Sequence, residues 1–176
     1  MRLGQIESKR LLLPEPDRTA IIRKASRLFV ESAERYSESL RLATKTHHTA
    51  GQGQYNMGLA VYHHCKLLWL NRDNTALHAE FVKLIVRARD IYASLHAVQE
   101  SEGEKVVKGN VPYMLACIAG MMGDEGECMK WLLESKKVCL SATELAVEEF
   151  VSMRDLPWFQ GLIEQVPQCP SRNSCH

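Results

Sequence analysis

Two histidine doublets, His47-His48 and His63-His64, the second followed directly by Cys65, are the residues in this chain whose types most readily suggest chemistry. Imidazole and thiolate are common ligands of zinc and other transition metals. The spacing argues against a shared ion, because neighbouring residues on a helix point about 100° apart and a doublet cannot turn both rings to one centre. Neither HExxH nor a Glu-x-x-His pair occurs, so the zinc-protease and di-iron patterns are missing. The expectation is therefore no metal and no cofactor. Cys65 beside the histidines could be a nucleophile, but it falls in a heavily apolar stretch that should raise its pKa and make it inert. The six cysteines include no CxxC pair. Cys65, Cys117, Cys128 and Cys139 read as core thiols, and Cys169 and Cys175, in a polar tail, as the oxidisable ones. Glycine-rich phosphate loops and the GxSxG elbow are also missing, and no catalytic residue is assigned.

These residues need elements to hold them, and the chain supplies helices. At 176 residues, with 45% hydrophobic and 24% charged residues, it has the size and composition of one folded domain. Residues 1–16 read as a tail ending in Pro14-Glu15-Pro16, 17–166 as the single domain and 167–176 as a disordered tail. The tail at the start lacks a signal peptide's apolar core and no apolar run reaches membrane length, which points to a cytoplasmic protein without a membrane span. Net charge is +1, divided as +6 over residues 1–90 and −5 over 91–176. Such asymmetry can steer a charged partner or pair two copies head to tail. Arg18, Arg23, Lys24, Arg27 and Arg41 are interrupted by glutamates, and Lys83, Arg87 and Arg89 form only a small patch. Nucleic acid is not the expected partner.

A first helix is predicted from Asp17 through Ala43, with a stripe of Ile21, Ile22, Ala25, Leu28, Phe29, Ala33, Tyr36, Leu40 and Ala43. Thr44 to Gly53 reads as a polar connection, Gln54 to Asn71 as a second helix apolar around most of its circumference, and Thr75 to Val98 as a third. Gln99 to Asn110 reads as a charged loop. Val111 to Val138 forms a helical hairpin broken at Gly123-Asp124, with Ala116, Ala119 and Gly120 permitting close approach of a neighbouring helix. Ser141 to Val151 is predicted as a last amphipathic helix with Ser141 and Glu144 forming a capping box. After it, Leu156, Trp158, Phe159, Leu162 and Ile163 surround a turn at Pro157.

The hairpin resembles a tetratricopeptide repeat, a unit of about 34 residues built from two antiparallel helices. Leu115-Ala116 stand where the family has its Leu-Gly pair and Gly123-Asp124 at its turn. Cys128, Leu132 and Ser135 fall on the small, large and small packing positions. Pro112 replaces the family's usual Trp, and Cys128 and Ser135 replace alanines. A second, irregular match begins at Tyr55-Asn56-Met57-Gly58, and the segment from Asp155 to Leu162 resembles the closing segment of terminal units. The resemblance implies an all-α fold of five to seven helices in stacked antiparallel hairpins, acting as a non-catalytic scaffold or adaptor that binds a protein partner. Its concave surface would be offered by Tyr55, Asn56, Leu59, Tyr62 and His63 of one first helix and Tyr113, Met114, Cys117 and Met121 of another. Those residues read equally well as inter-helix core. The family's carboxylate clamp requires lysine and asparagine where this chain has Tyr55 and Leu59, which disfavours chaperone tails as partners. The alternatives are a small helical enzyme or metal-binding bundle using His63, His64 and Cys65, and a structural subunit that forms homo-oligomers.

Overall fold

The computed structural model describes residues 17–42, 47–102, 110–138 and 140–167. Among them are seven α-helices, one 3₁₀ turn and no strand: α1 (Asp17–Leu42), α2 (His47–Trp69), α3 (Thr75–Glu102), α4 (Val111–Met122), α5 (Glu125–Val138), α6 (Ala142–Leu145), the 3₁₀ turn Glu148–Phe150, and α7 (Pro157–Gln165). Consecutive helices pack on one another from α1 to α5, and the 3₁₀ turn lies on α4. The protein is an all-α stack of antiparallel hairpins.

α1 is amphipathic as predicted, but its buried stripe is narrower than the sequence pattern suggests. Ile22 and Ala33 are buried, Ala25 and Phe29 are half-buried against the core, and Ile21 and Leu28 are 50% and 58% exposed. A helix with one substantial neighbour buries one narrow strip, so apolar residues to the side of that strip stay wet. At its start, Arg18 donates to Oδ1 of Asn71 at 2.6 and 3.0 Å, tying α1 to the end of the α2–α3 pair.

The predicted connection over residues 44–53 is corrected: α2 already begins at His47 and runs through Gly51 and Gly53. Glycines lower helix propensity, but a Cβ on Gly53 would sit 2.8 Å from Leu40 Cδ2. Close packing with α1 therefore selects glycine inside a helix, and tertiary contact overrides propensity. Further along α2, a Cβ on Gly58 would lie 2.9 Å from the Tyr92 ring, so α3 approaches closely there too. Asn74 turns the chain and caps α3, its Oδ1 accepting from Ala76 and Leu77 N–H at 3.1 and 3.3 Å. α3 extends through Glu102, beyond the predicted Val98.

The central hairpin forms where the sequence places it. Asn110 caps α4 by accepting from Tyr113 N–H at 3.0 Å and donates to the buried Ser135 hydroxyl of α5 at 2.8 Å. α4 ends at Gly123, whose φ of 72° is the left-handed cap, with Gly123 and Asp124 N–H bonded to Gly120 and Ala119 carbonyls. Asp124 then caps α5 by accepting from Glu127 N–H.

The predicted helix from Ser141 to Val151 is corrected. The Ser141–Glu144 capping box forms, but the helix lasts one turn, Val147 is extended, and a 3₁₀ turn follows. That break carries Glu149 and Phe150 inward, both at most 1% exposed. Pro157 opens α7 in its first turn, where its missing N–H costs no intrahelical bond. Phe159 and Leu162 are buried, with Trp158 and Ile163 packed against the core. The Phe159 ring lies 5.8 Å from that of Phe150, and Trp158 Nε1–H donates to Glu125 at 2.9 Å. The carbonyl of Pro167, which the sequence pattern assigns to a disordered tail, accepts from Ala142 N–H at 3.0 Å. The tails expected over 1–16 and 168–176, and residues 103–109 of the loop expected from Gln99 to Asn110, lie outside the described residues.

Candidate functional site

The side-by-side faces of α2 and α4, with the 3₁₀ turn across them, gather a cluster of polar side chains around the buried Glu149. Helical spacing puts Tyr62 and Lys66 on one side of α2, and Tyr113 and Cys117 on one side of α4. The turn delivers Glu149, 1% exposed, between them. Tyr62 donates its hydroxyl proton to Oε1 of Glu149, and Lys66 Nζ reaches the same carboxylate at 2.9 and 3.1 Å. Tyr113 donates to the Glu144 carbonyl at 3.0 Å and meets Phe150 edge-on at 6.2 Å between ring centres. A buried carboxylate needs hydrogen-bonding and ionic partners, and Tyr62 and Lys66 supply them.

Cys117 sits at the middle of this cluster. Burial, reinforced by the Glu149 charge, pushes its thiol far above the ordinary range, against the opposing pull of the Tyr113 and Tyr62 hydroxyls and Lys66. Burial likewise raises the Tyr62 and Tyr113 hydroxyls. Shifts in that direction favour the protonated, hydrogen-bonding forms of these groups. Burial pushes Cys65 and Cys128 up to about 12, in keeping with core thiols. Cys139, Cys169 and Cys175 are outside the described side chains.

Of the surface expected from the family resemblance, Tyr62, Met114, Cys117 and Met121 are buried and offer no face to a partner in this state. The reason is the chain's own closing segment: a Cβ on Gly120 would lie 2.5 Å from the Glu149 carbonyl oxygen. The small residues of α4 thus admit a 3₁₀ turn, where the sequence suggested a neighbouring helix. Tyr55, Asn56, Leu59 and Tyr113 remain half-buried, and His63 is exposed. Tyr55 leans edge-on against Tyr92 at 5.7 Å.

The histidine doublet is divided between the two sides of α2. His63 faces outward and His64 is 2% exposed, yet both rings stack on Phe29 of α1, at 6.2 and 6.1 Å. Among the described residues, no three His, Cys, Asp or Glu side chains gather where they could hold a metal ion. The side chains of His47 and His48 are outside the described set. A second opening, a cleft of about 230 Å³, lies between Arg89 of α3 and Asp124 and Glu127 of the hairpin, over Leu115, Ile118 and Ala119.

Sequence reasoning did not identify Lys66 and Glu149. A lone lysine inside a helix that is apolar on most sides was the available signal for the first. Nothing local marked Glu149 among the neighbouring acidic residues. Compared with family models, curated proteins and solved structures, the chain matches none. No helix among the described residues is long and apolar enough to cross a membrane.

Proposed function

We propose that this chain is a non-catalytic protein-interaction module of tetratricopeptide type, which binds a segment of a partner along the open part of its first-helix face. The single observation that carries the reading is the seating of the chain's own Glu149–Phe150 turn on α4. A face that accepts a short non-helical segment, with a glycine admitting its backbone and a cation and a hydroxyl gripping its side chain, has the features used in peptide recognition. Beside the occupied part, Asn56, Leu59 and His63 of α2 lie within about 60° of helical arc, half-buried or exposed. Tyr113 on α4 is likewise half-buried. This strip is where the partner segment would lie.

A photo-crosslinking amino acid placed at Asn56 should capture a protein from native cells, and the same group at Met129 on α5 should not. Leu59→Asp should abolish the capture, with circular dichroism showing that the fold survives the loss of a partly buried core contact. Equal capture from both positions, or none from Asn56, would sink the reading.

A further inference from the structure

The junction between α1 and α2 contains a titratable device centred on the buried His64, a residue the interaction reading does not use. α1 fully buries only Ile22 and Ala33 in its described face, and its substantial packing is on α2 alone. At the centre of that packing Phe29 lies on the rings of His63 and His64. His64 Nε2 is buried, makes no hydrogen bond among the described residues, and lies 3.5 Å from Oε1 of the half-exposed Glu80 on α3. A small cavity of about 50 Å³, lined by Phe29, Ala33, Val61 and His64 with Glu34 and Arg87 at its edge, opens at the same place.

We infer that protonation of His64 loosens α1 from α2, making this helix a pH-released cover over the Val61–His64 face of the stack. The physical reason lies in what surrounds each ring. A charged His64 would sit among Phe29, Val61 and Leu84 with Glu80 as its nearest counter-charge, Glu34 on α1 and Arg87 on α3 bearing opposite charges at the cavity edge. His63 faces Lys66, which opposes its charge, and Glu149, which favours it and is already held by Lys66 and Tyr62. Burial holds the pKa of both rings below the ordinary histidine value, with Glu80 only partly countering this at His64. Undocking α1 returns the buried His64 ring to water, where it binds protons normally. The docked state is therefore at full strength above the unperturbed histidine pKa of about 6.5 and weakens as pH falls below it. Arg18, bonded to Asn71, keeps the start of α1 tethered as its centre loosens.

Amide hydrogen exchange of the full chain, corrected for the intrinsic effect of pH, tests this. Protection of residues 22–33 relative to residues 111–122 should fall several-fold between pH 7.5 and pH 5.5. His64→Met should remove more than half of that fall. Glu80→Gln, an exposed change that should not disturb folding, should enlarge it, because it removes the charge that favours a protonated docked ring. An unchanged ratio in the natural chain overturns the inference, as does a fall that survives in His64→Met. Should His64→Met fail to fold, a fall that is unchanged or smaller in Glu80→Gln overturns it alone.

Discussion

The two ends of the stack are held by different means. α4 buries ten of its twelve residues, and the closing segment seals it with Phe150, Phe159, Leu162 and a buried carboxylate that reaches across to α2. α1, more than twice as long, fully buries Ile22 and Ala33 and leaves Ile21, Leu28 and Leu42 at least half exposed. Burial of apolar area, not helix length, sets how firmly an element is attached. The C-terminal half should therefore be the cooperative core, and α1 the element that opens first.

Removing the chain after Met153 should be the most damaging change, since it takes away Phe159, Leu162 and Val166 together. Each buried side chain contributes roughly 1.5–3 kcal/mol, which leaves a partly unfolded or associating protein. A truncated chain that stays folded and monomeric, judged by circular dichroism and sedimentation, would break the comparison at its strongest point. Next comes Lys66→Met, expected to cost about 3 kcal/mol in chemical denaturation because Glu149 is left buried beside one neutral donor. The double variant Lys66→Met, Glu149→Met should recover most of that loss, since an apolar pair needs no counter-charge. If the two changes simply add, the network is not a coupled unit.

Gly120→Ala should cost about 1–3 kcal/mol, because the new methyl meets a backbone carbonyl that has little room to move. At the other end Phe29→Leu should cost less than about 1.5 kcal/mol, measured the same way, because the ring is only half-buried. A larger loss at Phe29 than at Gly120 would reverse the ranking of the two ends. The smallest effect is that of pH: the stability of the α1 end should decline as pH falls below about 6.5, because burial lowers the His64 pKa in the fold while the unfolded chain takes up protons normally. That decline should be confined to the α1 end, and its appearance equally in α4 and α5 would blur the distinction.

The sequence by itself determined what depends on neighbours along the chain. The 3.6-residue period marked α1, α2, α3 and the hairpin. Gly123 ended α4, Asp124 began α5, and the Ser141–Glu144 box appeared where the spacing placed it, because caps and turns are made by residues within a few positions of one another. The heavily apolar setting of Cys65 likewise foretold a buried thiol. Only the tertiary structure decided the rest. Lys66 and Tyr62 find Glu149 across 83 and 87 residues, and no periodicity encodes a partner at that distance. The same holds for Gly120, whose missing side chain reads locally as a space for a helix and in fact receives the backbone of a 3₁₀ turn. Gly51 and Gly53 look like a loop until Leu40 is packed against Gly53. The face of α4 could be read from the sequence as groove or as core with equal right, because both need the same apolar and small residues. Its occupation by Glu149 and Phe150 depends on where the chain breaks after Leu145, and that is fixed by the burial and pairing those two side chains gain only in the assembled fold.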